Sequence, residues 1–267
     1  MLTKADLDKQ FRQLGLASNQ VVMVHSSLSS MGYILGGAQT VVSTLMDILG
    51  EAGTLIMPAF SPQVSDPDSW SGVNFAIAEL AKARAEVPLF SAPTTPTTMG
   101  AIPETFRNWP GTLRSTHPQV SVCANDPKAQ TIIATHTIEW GEGAGSPFER
   151  IYAMDAKILI LGVGFNRITL LHYAESLVPN GRRKARTIPF KINGSRSWLT
   201  VPDVGDDLDT HFPIIGEKFL QQAKVSQAKK VSQAKIGKAH CVLMSSKELV
   251  AFAASYFSTV FGGAKTY

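Results

Sequence analysis

The segment Lys157–Glu175 places the tightest constraint on how this chain folds. Its apolar run, Ile158–Leu161, is typical of a buried strand, and two glycines then end the run with a turn. The residues beyond the turn have helical composition, with His172 and Glu175 three positions apart on one helix face. Because catalytic and binding groups of α/β proteins gather at the carboxyl ends of strands, this segment predicts a site that contains an imidazole and a carboxylate.

Strand and helix patterns alternate elsewhere in the chain as well. Helical spacing covers Leu2–Leu14, with Thr3 as the N-cap and Gly15 as the C-cap glycine. The other regular patterns are a strand over 21–24, a helix over about 38–49, a strand over 53–58 and a C-terminal amphipathic helix over 248–261. This alternation predicts an α/β fold with a central, mostly parallel or mixed sheet flanked by helices.

Three stretches depart from that alternation. Residues from about 61 to 103 are rich in Pro, Ser, Thr and Asp, with helical composition only over 74–86, and a loop of this length predicts a substrate-covering region. Residues 189–201 are typical of a hairpin that turns at Asn193-Gly194. A hexapeptide occurs twice in tandem over 224–235. Two copies are too few for a solenoid, so we interpret the repeat as an insert that lengthens a surface loop or helix.

Length and composition exclude several classes of protein. The 267 residues are enough for a substantial core, and we predict a single domain over 1–267. No apolar run approaches the roughly 20 residues of a membrane span, and no signal-peptide core is visible, so we expect no membrane partner and a cytoplasmic location. Cys123 and Cys241 are the two cysteines, which imply neither a disulfide framework nor a Cys-rich zinc site.

The formal net charge of +4 raises the question of a nucleic-acid partner. Much of the charge comes from the basic cluster 182–186 and from the lysines between 224 and 238. Neither cluster has interleaved aromatic residues or matches a nucleic-acid motif, so we predict no nucleic-acid binding and interpret both as solvated surface. For the cluster 182–186, contact with a phosphate-bearing cofactor remains an alternative.

Several motifs of catalysis and cofactor binding are absent from the sequence. There is no Gly-x-Ser-x-Gly nucleophile elbow and no His-Glu-x-x-His, and Gly162-Val-Gly164 lacks the third glycine of a dinucleotide fingerprint. We therefore predict no metal. The run Arg12-Gln-Leu-Gly-Leu-Ala17 matches a pyrophosphate-cradling pattern, but it closes a predicted helix where that pattern should open one, so we reject it.

Five short motifs carry a resemblance to a known family. They are His25-Ser-Ser-Leu28, Thr98–Arg107, Arg114-Ser-Thr-His-Pro118, Gly143-Ala-Gly-Ser-Pro147 and Leu161–Glu175. Each is weak alone. In this order, across about 3–261, they resemble the aminoglycoside 3-N-acetyltransferases, whose antibiotic N-acetyltransferase fold differs from that of the GNAT acetyltransferases. The resemblance implies acetyl transfer from acetyl-coenzyme A to the 3-amino group of a 2-deoxystreptamine aminoglycoside.

Within this resemblance, His172 matches the family's catalytic histidine. An amine must lose a proton as it attacks a thioester, and histidine is the usual general base near neutral pH. The family takes the carboxylate that orients this base from the loop after the hairpin, here 203–209, in which Asp206 aligns best. Glu175 is a second catalytic candidate, with a substrate contact or support of the helix as alternatives. A lone helical histidine is more often a packing residue, but the match along the whole chain favours catalysis.

The resemblance also implies a set of residues that line the coenzyme A site: His25, Ser26, Ser27, Leu28, Arg114, Ser115 and His117. Backbone N–H groups of 26–28 would meet the developing oxyanion of the thioester. Two of these residues have alternative roles. His25 is also a candidate anchor for the loop that follows it, and His117 either lines the cofactor site or fixes its own loop. His136, His211 and His240 have no motif around them, and we interpret them as surface or packing residues.

Acidic residues are the predicted contacts for a polycationic antibiotic: Asp66, Asp68, Glu175, Asp203 and Asp207. Local charge in a cleft matters more here than the net charge of the chain. For Asp66 and Asp68 the alternative is an ordinary role as solvated loop acids or N-caps. Two other functions stay open, namely the same fold acting on another amine, and a coenzyme A-binding protein without catalysis. The oligomeric state is also open, with a homodimer as one alternative.

Overall fold

The strands of this protein form one large sheet and one separate hairpin. The computed structural model describes residues 1–70, 72–192, 194–225 and 231–262. In this part of the chain the strands are β1 (Val21–Ser26), β2 (Thr54–Pro58), β3 (Leu113–Arg114), β4 (Val122–Asn125), β5 (Lys157–Leu161), β6 (Arg183–Ile192), β7 (Ser195–Val204), β8 (Ser232–Ile236) and β9 (Ala239–Ser245). The large sheet has the order β3-β4-β2-β1-β5-β9-β8, and β6 pairs with β7 alone.

The centre of the large sheet is parallel and its flanks are antiparallel. β1 pairs in parallel with both β2 and β5, whereas β2–β4, β3–β4, β5–β9 and β8–β9 are antiparallel pairs. Parallel strands need crossover connections that cover both faces of a sheet, which explains why the central strands are buried on both sides. The predicted α/β class with a central mixed sheet is confirmed, and the parallel pairing applies to the three central strands.

Helices cover both faces of the sheet. They are α1 (Lys4–Leu14), α2 (Gly37–Leu49), α3 (Ile77–Glu86), α4 (Ala101–Arg107), α5 (Ala129–Ile133), α6 (Pro147–Ala153), α7 (Leu170–Ser176), α8 (Phe212–Val225) and α9 (Ser246–Phe261). Side chains of β1 alternate between the faces, so Met23 packs with the cluster around α6, α7 and α9 while Val22 and Val24 pack with the cluster around α1, α2 and α4. No helix within the described ranges combines the length and the apolar character that a membrane span requires.

The caps of α1 follow the sequence prediction. Thr3 accepts a hydrogen bond from the Asp6 amide, and the Asp6 carboxylate accepts one from the Thr3 amide, which completes a capping box. At the other end Gly15 has a φ of 111°, in the left-handed region that favours glycine. Both cap predictions are therefore confirmed.

Several predicted boundaries differ from the observed ones. The helix expected over 74–86 begins at Ile77, and the hairpin expected over 189–201 is longer at both ends because its strands continue as far as Arg183 and Val204. The flanking strands, the short helices α4–α6 and the longer helix α8 were not predicted, and α4–α6 are each too brief to show a clear periodic signal. Asn193 and residues 226–230 of the tandem repeat lie outside the described residues.

Candidate active site

A cavity of about 980 Å³ opens where the three parallel strands end. Residues 25–29 line it from the end of β1, Phe60 and Pro62 line it from beyond β2, and residues 166–169 line it from beyond β5. The carboxyl edge of parallel strands is the place where open α/β sheets bind their ligands, because the chain diverges there and leaves a crevice. The cavity therefore lies at the position expected from the segment Lys157–Glu175.

The turn after β5 requires a glycine. Gly162 has a φ of 70°, and a Cβ atom at this position would lie 1.9 Å from the Ser30 hydroxyl oxygen. No other residue type fits so close to the loop after β1. The turn leads into α7, which carries His172 to the wall of the cavity, where its ring makes an edge contact with Phe212 at a centroid distance of 4.7 Å.

The acidic group nearest to His172 is Glu142. Its Oε1 atom lies 3.8 Å from His172 Nε2, and the Glu142 side chain is only 2% exposed. His172 Nδ1 is buried without a hydrogen-bond partner, so Nε2 is the nitrogen that a substrate can approach. A carboxylate at this distance stabilises a protonated imidazole, which is what a general base becomes after it takes a proton.

Glu142 is anchored by a buried arginine. Arg186 on β6 donates from Nη2 to Glu142 Oε2 at 2.7 Å, from Nη1 to Gln119 Oε1 at 2.9 Å, and from Nε to the Asp203 carboxylate on β7. Burial alone would lower the pKa of Arg186, but the Glu142 and Asp203 carboxylates outweigh it and raise that pKa. Arg186 therefore holds one oxygen of Glu142 and leaves Oε1 facing His172.

Two buried histidines support the loop that carries Glu142. His136 shares a hydrogen bond with the Gly141 carbonyl at 2.7 Å, and His117 shares one with the Ile138 carbonyl at 3.2 Å. Burial lowers the pKa of each histidine to about 3, so both are neutral at neutral pH. A Cβ at Gly141 would lie 2.6 Å from His117 Nε2, so this close approach also depends on glycine.

Buried polar atoms without partners concentrate in this cavity. Among the described residues they are His25 Nε2, Ser26 Oγ, Gln63 Oε1, Glu142 Oε1, Thr169 Oγ1 and His172 Nδ1, and every one except Gln63 belongs to a residue that lines the cavity. Buried polar groups are nearly always hydrogen-bonded in proteins, so such a cluster indicates a polar ligand.

The predicted cofactor loop lies at this cavity, but its backbone is partly occupied. His25, Ser26, Ser27 and Leu28 all line the cavity. The Ser27 amide donates to the Leu161 carbonyl at 2.9 Å, so it is not available to an oxyanion. Burial lowers the pKa of His25 to about 4 despite a hydrogen bond to the backbone of Arg167, so His25 is a neutral wall residue at neutral pH.

Arg114, Ser115 and His117 are buried behind the wall and are absent from the cavity lining. Arg114 donates to the Ala59 and Thr95 carbonyls and to two serine hydroxyls, and burial lowers its pKa to about 10. Ser115 hydrogen-bonds His136 Nδ1 at 2.9 Å, and His117 Nδ1 accepts from two backbone amides. These contacts match the alternative in which His117 fixes its loop. A contact of these three residues with coenzyme A stays a prediction.

The predicted acids of 203–209 divide between three roles. Asp203 is buried against Arg186, and Asp207 accepts from the amides of His211 and Phe212 at the start of α8. Asp206 lines the cavity, and its carboxylate pairs with Lys184 rather than with His172. These positions place Asp206 in the same cavity as His172, with Glu142 between His172 and Arg186.

Glu175 lies away from the cavity. Its carboxylate is fully buried and accepts from Arg182 Nε and Nη2, both at 2.8 Å. Arg182 also reaches Asp207 at 2.9 Å, so it joins α7 to the loop before α8. This arrangement matches the alternative in which Glu175 supports the helix. Three members of the basic cluster 182–186, Arg182, Lys184 and Arg186, are therefore already paired with carboxylates.

A second cavity of about 750 Å³ adjoins the first and holds the predicted acids of the long loop. Asp66 and Asp68 both line it. Asp66 caps a short 3-10 turn and accepts two hydrogen bonds from Arg84 at 2.8 and 2.7 Å, whereas Asp68 is exposed with Arg84 4.0 Å away. The predicted substrate region 61–103 thus forms a wall of the second cavity and contains α3, an exposed helix.

The sequence predicts no individual role for Glu142 or Arg186. Glu142 directly precedes the quoted motif Gly143–Pro147 and stands between two glycines, which is a signal that could have singled it out. Arg186 was seen only as part of a basic cluster, and its pairing depends on the register of the hairpin. Metal ligation has no structural support within the described ranges, where no group of three His, Cys, Asp or Glu side chains is suitably placed.

Fold and site together define an α/β protein with a cavity at the carboxyl edge of its parallel strands, where the His172 imidazole lies beside the Glu142 carboxylate. Comparison with known proteins identifies the family to which such a chain belongs. The family model for aminoglycoside 3-N-acetyltransferases matches residues 23–258. The chain belongs to this family, and its predicted class as an acetyltransferase that uses acetyl-coenzyme A is confirmed.

Curated relatives cover nearly the whole chain. The SPbeta prophage-derived aminoglycoside N(3')-acetyltransferase-like protein YokD of Bacillus subtilis is 34% identical over 257 residues, which are 96% of this chain and 92% of YokD. Aminoglycoside N(3)-acetyltransferase III of Pseudomonas aeruginosa is 31% identical over 277 residues, covering 99% of this chain and 97% of the relative.

Solved structures of aminoglycoside acetyltransferases are also similar. The binary complex of AAC-IIIb with CoASH superposes with a TM-score of 0.82 at 28% identity, covering 99% of each chain. AAC-VIa bound to sisomicin superposes with a TM-score of 0.82 at 29% identity, covering 98% of this chain and 99% of AAC-VIa. The predicted antibiotic N-acetyltransferase fold is thereby confirmed.

Proposed function

We propose that this enzyme transfers the acetyl group of acetyl-coenzyme A to the 3-amino group of a 2-deoxystreptamine aminoglycoside, with His172 as general base in a ternary complex. The observation that carries the proposal is the His172–Glu142 pair at the wall of a cavity of about 980 Å³. Similarity to a CoASH complex and to a sisomicin complex supports the two substrates.

His172 accepts and returns one proton, and Glu142 stabilises the charge that His172 carries in between. The amine lone pair attacks the thioester carbonyl carbon while His172 Nε2 accepts a proton from the amine nitrogen. Glu142 Oε1, 3.8 Å away, stabilises the resulting imidazolium. The tetrahedral intermediate then collapses, the carbon–sulfur bond breaks, and the departing coenzyme A thiolate takes the proton back from His172. The products are the amide and the free thiol, and the enzyme returns to its starting state.

The loop after β1 faces the thioester in this arrangement. The Ser26 hydroxyl is buried, has no partner in the protein and belongs to a residue of the cavity wall, so it is a donor available to the developing oxyanion. Ser27 and Leu28 line the cavity where the pantetheine arm would lie. His25 lies beside them and is neutral at neutral pH. We treat residues 1–267 as one catalytic domain, in which the loop 61–103 faces the acceptor.

A thiol-release assay tests the proposal. The enzyme is offered acetyl-coenzyme A with a panel of aminoglycosides, some of them blocked at the 3-amino group, and with simple amines. We expect free thiol only with acceptors whose 3-amino group is open. We expect His172→Ala to lower kcat by about 10²–10⁴, the usual contribution of a general base, with an unchanged circular dichroism spectrum.

A matched control is His240→Ala, which removes an exposed histidine that lies outside both cavities. Wild-type turnover in His172→Ala would rule out the assigned base. Thiol release only with simple amines would favour the same fold acting on another acceptor, and tight acetyl-coenzyme A binding without any thiol release would favour a binding protein.

A further inference from the structure

The acidic side chains of the two cavities already have basic partners within the protein. Four acidic residues line the cavities in the described part of the chain: Asp66, Asp68, Glu142 and Asp206. Arg84 lies 2.7 Å from Asp66 and 4.0 Å from Asp68, and Arg186 lies 2.7 Å from Glu142. Asp206 is paired with Lys184. A cationic acceptor that enters this cleft must therefore compete with arginines and a lysine of the enzyme itself.

The pair Lys184–Asp206 differs from the others in position. Both residues line both cavities, so the pair stands at the junction between them. Arg84, in contrast, lines neither cavity and approaches Asp66 from behind the wall. An acceptor with several rings that occupies both cavities has to pass Lys184 and Asp206.

The pair also differs in chemistry. Arg186 is buried and divides its donors among three acceptors, so its geometry is fixed on every side. Lys184 is a flexible side chain with one compact ammonium group, and Asp206 is 59% exposed. Burial alone would raise the pKa of Asp206, but the ammonium of Lys184 outweighs it, so Asp206 is ionised at neutral pH. The Lys184 side chain is 20% exposed, so the pair is partly open to water, and a pair of this kind is weaker and more exchangeable than a buried one.

We propose that Lys184 is a specificity-determining residue that competes with an acceptor's ammonium group for the carboxylate of Asp206. The proposal rests on the proposed function, because it assumes an amine acceptor in this cleft. An acceptor with several positive charges has to displace Lys184 from Asp206 and then lies beside the displaced ammonium. Lys184 thus weakens the binding of acceptors in proportion to their charge and discriminates between polycationic and singly charged amines.

Lys184→Gln tests this role by removing the competing charge while keeping a polar side chain. We expect KM for a polycationic aminoglycoside to fall about fivefold, the effect of one pair of unit charges in contact in water. We expect KM for a singly charged amine to change by less than twofold. The aminoglycoside KM should also become more sensitive to salt, since Asp206 then meets the acceptor directly.

Three further variants separate charge from structure. Lys184→Arg keeps the positive charge and should retain the wild-type KM, whereas Lys247→Gln removes an exposed lysine remote from both cavities and should leave KM and its salt dependence unchanged. In the double variant Lys184→Gln with Asp206→Asn, the gain in affinity should disappear.

Acetylation by the wild-type enzyme tests the proposed function, whereas the KM of Lys184→Gln tests the role of Lys184. If wild-type enzyme acetylates aminoglycosides but Lys184→Gln leaves KM unchanged or raises it, Lys184 is not a competitor and the inference is wrong while the proposed function stands. A gain that persists after Asp206→Asn would also overturn it. If no amine is acetylated by the wild-type enzyme, the proposed function itself fails first.

Discussion

The inner and outer walls of the cleft hold charges in opposite ways. On the inner wall, Glu142, Arg186 and Asp203 form a buried network in which Glu142 and Asp203 are at most 2% exposed. On the outer wall, the pairs Asp66–Arg84 and Asp206–Lys184 are partly open to water. The charges of the inner wall are thus held by buried partners, while those of the outer wall are held by partners that water can reach.

Because the pairs of the two walls differ in exposure, the free energy lost when a pair is broken also differs between the walls. A buried charge that loses its partner keeps its desolvation penalty, whereas an exposed charge recovers hydration from water. Mutations of the inner wall should therefore lower stability and turnover together. Mutations of the outer wall should change acceptor affinity or local loop stability by smaller amounts.

The largest expected effect is at Arg186. Arg186→Met leaves the buried carboxylates of Glu142 and Asp203 without a cation, so we expect the free energy of unfolding to fall by about 3–5 kcal/mol. Urea unfolding followed by circular dichroism measures this loss.

Controls for Arg186 distinguish charge from shape. Adding Asp203→Asn to Arg186→Met removes one of the two unpaired charges, so part of the lost stability should return. Arg186→Lys keeps the positive charge but loses the forked set of guanidinium donors. Its free energy of unfolding should therefore lie between those of wild type and Arg186→Met. Equal stability of Arg186→Met and wild type would contradict the contrast between the walls.

The next effect is at Glu142. Glu142→Gln removes the negative charge that faces His172 Nε2 and keeps the size of the side chain, so the imidazolium loses its stabilising partner. We expect kcat to fall about 100-fold, equivalent to about 2.7 kcal/mol in the barrier, with KM for acetyl-coenzyme A nearly unchanged. Steady-state thiol release measures both constants.

Glu139→Gln is the matched control, because Glu139 is an exposed glutamate three residues earlier on the same loop. It should retain wild-type turnover. If Glu142→Gln kept wild-type kcat, the carboxylate partner of His172 would have to be sought elsewhere, with Asp206 in the same cavity as the next candidate.

The same contrast explains which parts of the site could be predicted from the sequence. His172 follows a buried strand, a glycine turn and a helix start, all of which are local signals, and the structure places it at the cavity wall. Glu142 lies on an irregular loop held by His117 and His136, and its link to Arg186 spans 44 residues. No local pattern encodes a contact of that kind, so the sequence alone points to a carboxylate in 203–209 instead.

The fold shows a similar division. The central strands and α1, α2 and α9 have strong periodicity and caps, and all were predicted within a few residues. The two-residue strand β3 and the five-residue helix α5 are too short to show a period, and tertiary packing decides them. Predictions from the sequence therefore succeed where local signals and packing agree, and fall short where long-range pairing decides.

The smallest expected effect is at Glu104 on α4, whose ion pair with Arg107 lines neither cavity but is partly exposed, as the pairs of the outer wall are. Hydrogen bonds from Arg107 lower the pKa of Glu104 from its ordinary 4.5 to about 2, and Glu104 also accepts from the Thr97 amide of the long loop. A carboxyl with a lowered pKa adds stability above its unfolded pKa and loses it as pH falls toward its folded pKa. We expect Glu104→Gln to be less stable than wild type at pH 7 by about 1 kcal/mol, since partial exposure screens the pair.

The difference between Glu104→Gln and wild type should shrink as pH falls from 4.5 toward 2, because wild-type Glu104 then becomes neutral as well. Urea unfolding at pH 7 and at pH 3.5 measures this trend, with Glu86→Gln as an exposed control for which no such trend is expected. A loss at pH 7 as large as that of Arg186→Met would contradict the view that a partly exposed pair costs less to break than a buried one. A difference that stays constant with pH would show that the amide replacement acts through packing rather than through charge.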